Sequence, residues 1–184
     1  MILRTPRLDL VPFSAELLDA LIAGDRVAAG RLATAVLGDD LFPHTRDDLE
    51  YFCMQRDQVR RDASWALWSV RGVVLRATNA VIGTTTFHGP PGVNDTATPD
   101  AVEVGYEIFP PHRNAGFATE VARAMLEWAK REQGVTHFVS GVAPDNAPSL
   151  RVNEKLGFLP TGKIVDGELI FELCLDDARH ERSG

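Results

Sequence analysis

The chain has 184 residues, and 45% of them are hydrophobic, which is enough for one globular domain with its own core. Aspartate and glutamate number 26 against 19 lysines and arginines, so the formal net charge is −7. The cationic surface that non-specific nucleic-acid binding needs is therefore not expected, and nucleic acid is not a predicted partner.

Membrane and metal-binding classes are also disfavoured. Charged residues interrupt the N-terminal segment and no apolar run approaches the length of a membrane span, so we predict a cytoplasmic protein without a signal peptide or a membrane partner. Cys53 and Cys174 lie far apart and form no C-x-x-C motif. No disulfide framework and no metal site are therefore predicted, and both thiols are expected to be free and buried.

The first third of the chain indicates one strand followed by helices. Residues 3–11 alternate apolar and polar side chains, which predicts a strand that ends at Pro12. Ser14 is a good N-cap for a helix to about residue 23, and a second helix is expected over 25–37. Thr45 and Asp48 have capping-box spacing, which predicts a third helix that ends near residue 62.

Short β-rich segments and a long loop follow. Residues 65–70 and 73–77 are β-rich and are expected to form one irregular strand or a tight turn around Gly72, and residues 80–88 form a better strand with Gly83 as a possible bulge. Residues 89–100 are rich in glycine, proline, asparagine, aspartate and threonine, which predicts a mobile, exposed loop.

A strand, a short loop and a helix form the centre of the sequence. Residues 102–109 alternate with the period of a pleated strand, and Pro110 and Pro111 end it because proline cannot donate to the ladder. From Ala118 onward the apolar residues recur at helical spacing, which predicts an amphipathic helix that ends near Gly134.

The last third predicts a buried strand over 137–142 and a short helix over 146–156 that stops at Gly157. Residues 159–165 and 168–175 flank Asp166-Gly167, which is a strong signal for a two-residue hairpin. Strands and helices thus mix around one central β-α-β unit, so the predicted class is α/β or α+β with a mixed sheet. We predict one domain over residues 1–176 and a disordered tail over 177–184.

The junction between the central strand and helix has the properties of an anion site. The first backbone N–H groups of a helix lack intrahelical partners, and the helix dipole favours negative charge there. Gly116 and Ala118 are small enough to let a phosphate approach the backbone, and Arg113 adds a positive charge. The local chemistry therefore predicts an anion-binding loop without specifying the anion.

Three stretches of the sequence resemble one family. Residues 113–118, R-N-A-G-F-A, match the R/Q-x-x-G-x-G/A signature at the head of the central helix of the GCN5-related N-acetyltransferase (GNAT) superfamily. Residues 146–158, N-A-P-S-L-R-V-N-E-K-L-G-F, are similar to a second motif of that family. Residues 3–10, L-R-T-P-R-L-D-L, resemble the start of its bacterial ribosomal-protein N-terminal acetyltransferase branch (RimJ/RimL-like).

The resemblance implies a fold and a cofactor. A GNAT-like fold has a mixed, mostly antiparallel central sheet with helices around it, and its two parallel strands, here 102–109 and 137–142, splay apart. The cofactor would be acetyl-CoA, with its diphosphate on the loop amides and its pantetheine arm along the end of the central strand. The residues that the resemblance assigns to cofactor binding are Ile108, Phe109, Arg113, Asn114, Ala115, Gly116, Phe117, Ala118, Thr119 and Asn146. Asn146 also suits a helix N-cap.

Acetyl transfer requires a neutral amine and therefore a base. Deprotonating a lysine with a pKa near 10.4 costs about 4.6 kcal/mol at pH 7, whereas an α-amine near 7.8 costs only about 1 kcal/mol. Glu103 and Glu107 lie on one face of the central strand and are the candidate bases, with Glu103 preferred by family precedent. A solvated or ion-paired glutamate is the alternative for each. His88 is a possible substitute base, although a lone histidine at a loop edge is usually just solvated.

The proton donor for the departing thiolate is less evident. Many GNAT enzymes have a tyrosine seven residues after the asparagine of the second motif, but this chain has Asn153 there. Ser149 is similar to the serine of the RimL-like branch and is the candidate acid, with a purely structural helix serine as the alternative.

These observations predict an N-acetyltransferase that moves acetyl from acetyl-CoA to a primary amine by direct attack in a ternary complex. Neither cysteine lies in a motif that would support an acyl-enzyme. The acceptor would be a protein N-terminus or a small-molecule amine, and the enzyme a monomer or homodimer. The alternative is a non-catalytic acyl-CoA-binding or sensing module.

Overall fold

The computed structural model describes residues 1–175, so the predicted tail at 177–184 lies outside the described residues. The described chain divides into two compact units, one of residues 1–87 and 105–124 and the other of residues 88–104 and 125–175. Strand β5 (Ala101–Ile108) and helix α4 (Phe117–Gln133) each contribute residues to both units. The single domain over residues 1–176 stays a prediction.

The strands of the first unit form antiparallel ladders. They are β1 (Leu3–Arg4), β2 (Leu8–Pro12), β3 (Arg71–Leu75) and β4 (Ala80–Phe87), paired in that order. The prediction of one strand over residues 3–11 is wrong, because the chain turns back at residues 5–7 and Leu3 pairs with Leu10. The Thr5 amide donates to the Leu8 carbonyl at 2.9 Å and closes this turn.

The helices of the first unit begin where the capping signals predicted. Helix α1 spans Ala15–Ile22, α2 spans Arg26–Leu32 and α3 spans Arg46–Arg61, with Ser14, Asp25 and Thr45 as their side-chain caps. The capping box between Thr45 and Asp48 is confirmed. Helix α2 ends earlier than predicted because Ala33 is extended. The predicted extended segment over 65–70 is wrong, since Ala63–Leu67 is a 3-10 turn capped by the Asp62 side chain.

Gly83 allows β4 and the last part of β5 to approach closely. A Cβ atom at Gly83 would lie 2.1 Å from the Glu107 carbonyl oxygen and 3.0 Å from the Ile108 Cα. The ladder between β3 and β4 is irregular beside this glycine, because Val73 pairs with Gly83 while Val74 pairs with Val81. The predicted irregularity is therefore present, and the backbone contact with β5 explains why the position requires glycine.

The second unit contains one parallel and two antiparallel ladders. Its elements after β5 are β6 (His137–Val142), α5 (Ala147–Leu156), β7 (Leu159–Val165) and β8 (Glu168–Cys174). The parallel ladder of β5 and β6 comprises three pairs and ends at Glu103 with Val139, while β6–β8 and β7–β8 are antiparallel. The predicted hairpin is confirmed, with φ of 47° at Asp166 and 87° at Gly167.

The predicted fold class is confirmed: residues 1–175 form a mixed α/β fold with mostly antiparallel strands, one parallel pair and five α-helices. Among residues 1–175, no helix combines the length and the apolar character that a bilayer span requires. Cys53 is half-buried, but the prediction of a buried thiol is wrong for Cys174. Cys174 is exposed because it extends β8 beyond the last pair with β7, Leu159 with Glu172.

Candidate functional site

The loop that precedes α4 has an unusual backbone. After the 3-10 turn at Pro110–His112, Arg113 is extended, Asn114 has a φ of +64° and Gly116 a φ of +79°. The left-handed conformation at Gly116 is one that glycine adopts without strain. The Glu120 amide then donates to the Gly116 carbonyl at 3.2 Å. The loop therefore turns the chain directly into the first turn of the helix.

This geometry presents backbone donors at the head of a long helix. The amides of Phe117, Ala118 and Thr119 precede the Glu120 bond and have no acceptor within the helix. Residues 113–116 are exposed, so a ligand can reach them. Helix α4 has 17 residues, so a full macrodipole adds to these donors. The predicted anion-binding loop thus has the local conformation that such a site requires.

Arg113 is folded back onto the end of β5. Its Nε donates to the Ile108 carbonyl at 2.7 Å, and its Nη2 lies 3.5 Å from Glu107 Oε1. Ile108 and Phe109 are both buried, and the Phe109 amide donates to the Ile82 carbonyl at 2.9 Å. A ligand that hydrogen-bonds the Ile108 carbonyl would therefore compete with Arg113 for that atom.

Arg7 holds the loop in place, a role that the sequence motifs did not indicate. Its Nη1 donates to the Ala115 carbonyl at 2.9 Å, and its Nε donates to Glu120 Oε2 at 2.6 Å. The guanidinium carbon also lies 4.3 Å from the centre of the Phe117 ring. The N-terminal segment thus supports the loop through its Ala115 carbonyl, and Arg7 Nη2 lies 3.6 Å from the point where a Cβ on Gly116 would be.

Glu120 is an ionised group within this support. The Thr5 hydroxyl donates to Glu120 Oε1 at 2.5 Å, and the Arg7 amide donates to the same oxygen at 3.0 Å. Burial raises the pKa of Glu120, but the hydrogen bonds from Thr5 and Arg7 and the Arg7 charge outweigh it, so the pKa is lowered from its usual value. Glu120 therefore stays charged at neutral pH and stabilises the helix start as a first-turn acid.

Glu103 is a buried carboxylate in the second unit, only 2% exposed. Its Oε2 accepts the Asp95 backbone N–H at 2.8 Å. Its Oε1 lies 3.3 Å from where a Cβ would stand on Gly141, and Glu168 Oε2 lies 2.4 Å from the same point. The two carboxylates are therefore at most 5.7 Å apart across Gly141, the total of those two distances. Any side chain at position 141 would displace at least one of them.

His88 joins this group through its Nδ1 atom. Nδ1 lies 3.5 Å from Glu103 Oε2 and 3.4 Å from Asp95 Oδ1. The His88 amide donates to the Glu103 carbonyl at 2.9 Å, which fixes the start of the loop against β5. The ligand-type atoms of the three side chains all lie within 4.8 Å of one another. The structure therefore places one imidazole and one further carboxylate beside the candidate base Glu103.

The loop over residues 89–100 is held by internal hydrogen bonds. The Asn94 amide group donates to the carbonyls of Thr98 and Ala101 at 2.8 and 3.1 Å, and its oxygen accepts from the Thr98 amide at 2.8 Å. The Gly92 amide also donates to the Ala101 carbonyl at 2.9 Å. These bonds place the Asp95 amide against Glu103. The loop thus has internal hydrogen bonds that its composition did not indicate, and most of residues 91–100 are exposed as predicted.

Glu107 has a different environment from Glu103. Its side chain is 60% exposed and lies 3.5 Å from Arg113 as an exposed ion pair. Such a pair contributes little free energy. The strand pattern placed both glutamates on one face and did not separate them, whereas the structure buries Glu103 and exposes Glu107.

Helix α5 presents the residues of the second motif along its first two turns. Asn146 is the N-cap, and its Oδ1 accepts the Ser149 amide at 3.2 Å, so the structural alternative for Asn146 is confirmed. Ser149 is half-buried one turn into the helix. Asn153 follows at helical spacing, is 1% exposed, and its Nδ2 has no hydrogen-bond partner among residues 1–175.

Several residues that contact the loop of residues 113–118 or lie beside Glu103 were not predicted from the sequence. Arg7 belongs to the N-terminal motif of residues 3–10, and Glu120 is an acidic residue in the first turn of α4, so each had a weak sequence signal. Asp95 and Glu168 had none, because their roles depend on contacts with residues distant in sequence. The residues without a predicted role are Arg7, Asp95, Glu120, Gly141 and Glu168.

Comparisons with known proteins agree with this geometry. The sequence model of the acetyltransferase (GNAT) domain matches residues 7–159. An N-acetyltransferase of Bacillus subtilis described as uncharacterized, YjdG, is 27% identical over 166 residues, which cover 86% of this chain and 90% of YjdG. An aminoglycoside N(6')-acetyltransferase type 1 of Acinetobacter haemolyticus is 39% identical over 74 residues, or 40% of this chain and 50% of that enzyme.

Solved structures have the same fold. The acetyltransferase from Agrobacterium tumefaciens superposes with a TM-score of 0.63 at 23% identity, covering 95% of each chain. RimL, a ribosomal L7/L12 alpha-N-protein acetyltransferase solved in complex with coenzyme A, superposes with a TM-score of 0.61 at 13% identity, covering 96% of this chain and 99% of RimL. Because the family model spans most of the sequence and includes the loop that heads α4, the chain belongs to the acetyltransferase (GNAT) family.

Proposed function

We propose that this protein is an N-acetyltransferase that transfers the acetyl group of acetyl-CoA to a primary amine. The observation that carries the proposal is the loop of residues 113–118 at the head of α4, in a chain whose family uses acetyl-CoA. The RimL structure with bound coenzyme A supports the choice of donor. The diphosphate would bind the amides of Phe117, Ala118 and Thr119, with Gly116 allowing a close approach. Asn146 is proposed to contact acetyl-CoA through its Nδ2 group, because its Oδ1 accepts the Ser149 amide as the cap of α5.

The second unit supplies the proposed chemistry. Glu103 is the preferred carboxylate for assisting deprotonation of the amine, and Glu107 is the alternative. Ser149 is the proposed donor of a proton to the departing thiolate. Transfer would be direct, because neither Cys53 nor Cys174 belongs to the clusters around Glu103 or the loop. A variant with both cysteines replaced by serine should therefore keep its activity.

The acceptor is proposed to be cationic at neutral pH. The carboxylates of Glu103 and Glu168 flank Gly141, the Asp95 carboxylate lies within 4.8 Å of that of Glu103, and an ammonium group is attracted to such a cluster. An α-amine of a protein N-terminus fits the RimJ/RimL-like resemblance and the RimL neighbour. A small-molecule amine fits the aminoglycoside-acetylating relative. The enzyme is proposed to act in the cytoplasm as a monomer or homodimer.

An acetylation panel tests the function. Release of free thiol from acetyl-CoA is measured with short peptides bearing a free α-amine, with a peptide whose only amine is a lysine, and with kanamycin. We expect turnover with at least one of them, and lower turnover in Glu103→Gln with little change in CoA affinity. Tight CoA binding by calorimetry without acetylation of any amine would favour the alternative, an acyl-CoA-binding module. Undetectable CoA binding would overturn both.

A further inference from the structure

We infer that His88 is the catalytic proton acceptor, with Glu103 and Asp95 as the residues that position it. This inference rests on the proposed function and deepens it, because it assigns the step that precedes acetyl transfer to a named atom. The base would be His88 Nε2. The buried carboxylate of Glu103 would act through the imidazole rather than on the amine directly.

The geometry around Nδ1 favours this arrangement. Two carboxylate oxygens, Glu103 Oε2 and Asp95 Oδ1, lie 3.5 and 3.4 Å from Nδ1. Carboxylates accept hydrogen bonds and do not donate them when ionised, so they favour the tautomer with the proton on Nδ1. That tautomer leaves a basic lone pair on Nε2. Carboxylates orient the histidine base of other hydrolytic and transfer enzymes in the same manner.

The surroundings hold the imidazole and still leave it accessible. The His88 amide is bonded to the Glu103 carbonyl at 2.9 Å, and the Asp95 amide is bonded to Glu103 Oε2 at 2.8 Å, so backbone contacts fix both partners. Glu103 is 2% exposed, whereas the His88 side chain is 38% exposed. An amine from solution therefore reaches the imidazole more readily than the carboxylate behind it.

Imidazoles are in general stronger bases than carboxylates, which favours a histidine as the acceptor of an amine proton. An α-ammonium group has a pKa near 7.8, an ordinary carboxylic acid one near 4.3 and an ordinary imidazole one near 6.5. Transfer of the proton to a carboxylate is therefore unfavourable by roughly 3,000-fold, but transfer to an imidazole by only about 20-fold. The carboxylate serves better as the partner of the imidazolium that forms.

Protons and electron pairs balance across the transfer. The ammonium proton passes to His88 Nε2, and the freed amine lone pair attacks the acetyl carbonyl carbon of acetyl-CoA. The carbon–sulfur bond of the tetrahedral adduct then breaks, the nitrogen loses its second proton to water, and the thiolate takes a proton from Ser149 or from water. Ser149 recovers its proton from water. The imidazolium returns its proton to solvent through its exposed edge.

Nuclear magnetic resonance tests the tautomer without any acceptor. In protein labelled with ¹⁵N-histidine, the signals of His88 are identified by their loss in His88→Gln, since the chain has five histidines. We expect neutral His88 to carry its proton on Nδ1, and the Glu103→Gln and Asp95→Asn double variant to shift protonation toward Nε2. A parent protein with Nε2 protonated would overturn the inference.

Kinetics on the best amine of the panel test the role. His88→Gln should lower kcat by about 10²–10³-fold without changing CoA affinity, and added imidazole should partly restore His88→Ala. The matched control is His137→Gln, because His137 Nε2 also lies 3.5 Å from a carboxylate, Glu172 Oε2, in the same unit. We expect this control to keep its turnover.

The outcomes separate this role from the proposed function. Unchanged turnover in His88→Gln, with an active parent, would leave the acetyltransferase and remove His88 from the chemistry. If the parent acetylates no amine, the function and the role both fall. Assays are also run with and without EDTA. If EDTA abolishes the activity, Zn²⁺ restores it and His88→Gln loses Zn²⁺ binding, then His88, Asp95 and Glu103 form a metal site and the inference is overturned.

Discussion

Arg7 Nε donates to Glu120 Oε2 at 2.6 Å, so a residue near the start of the chain is bonded to the first turn of α4. The same guanidinium bonds the Ala115 carbonyl at 2.9 Å, and Thr5 bonds the other oxygen of Glu120. The loop of residues 113–118 is thus held by a segment that lies more than a hundred residues earlier. Its conformation depends on this charge pair as well as on its own glycine.

Replacing Glu120 by glutamine should destabilise the protein. The variant keeps the shape of the side chain but removes the negative charge that accepts hydrogen bonds from the Thr5 hydroxyl, the Arg7 amide and Arg7 Nε. Because Arg7 is half-exposed, we expect a loss of roughly 1–2 kcal/mol, which lowers the melting temperature by about 2–4 °C per kcal/mol. Thermal unfolding at pH 7 measures the effect. An unchanged melting temperature would show that the Arg7–Glu120 pair contributes nothing.

The contribution of Glu120 should also depend on pH. Its pKa in the folded protein is lowered from the usual 4.5, so the ionised carboxylate stabilises the fold fully above pH 4.5. This stabilisation is lost as the pH falls through the folded-state pKa. The difference in melting temperature between the parent and Glu120→Gln should therefore shrink progressively below pH 4.5. A difference that stays constant down to about pH 3 would contradict the assignment.

Gly116→Glu should weaken binding of CoA by more than about tenfold, measured by calorimetry. The new carboxylate would lie beside the amides that we propose for the diphosphate, and like charges repel. Gly116 has a φ of +79°, so part of any effect is backbone strain. Gly134→Glu is the matched control, because Gly134 has a φ of +71° at the other end of α4 and a Cβ added there would meet no heavy atom within 4 Å. Equal affinity of the two variants for CoA would show that the loop of residues 113–118 does not bind the diphosphate.

Gly141→Ala should be destabilising by about 1 kcal/mol, because the new methyl group would lie 2.4 Å from Glu168 Oε2. The clash is with the end of a flexible side chain, so the cost is at the low end for overpacking. Urea unfolding of the parent, Gly141→Ala, Glu168→Ala and the double variant gives the coupling free energy between the two positions. We expect the cost to fall close to zero in the Glu168→Ala background. An equal cost in both backgrounds would mean that the methyl group meets the backbone instead.

Asn153→Leu should stabilise the protein by roughly 1 kcal/mol. The Nδ2 group of Asn153 is buried without a partner among the described residues, and an unsatisfied buried donor costs about 1–3 kcal/mol. Leucine has nearly the same shape and no polar atoms. Asn153→Ala is the control, since it removes the same donor but leaves a cavity and should not stabilise. A lower unfolding midpoint for Asn153→Leu would show that the amide is hydrogen-bonded in solution.

Local chemistry made much of the fold predictable from sequence. The caps at Ser14 and Thr45, the Asp166-Gly167 hairpin and the helix stop at Gly157 each depend on residues close together in the chain. The loop at the head of α4 was predictable for the same reason. The errors at residues 3–11 and 65–70 arose where a short apolar run did not distinguish one strand from a turn-containing segment.

The sequence by itself determined most of the strands and helices, the resemblance to the family and the candidate loop, because backbone propensities and motifs depend on neighbouring residues. Only the tertiary structure separated Glu103 from Glu107, placed the Asp95 amide and His88 against Glu103, and bonded Arg7 to Glu120. These relationships depend on burial and on contacts between distant residues. A periodic pattern specifies which face of a strand a side chain occupies, but not what packs against that face.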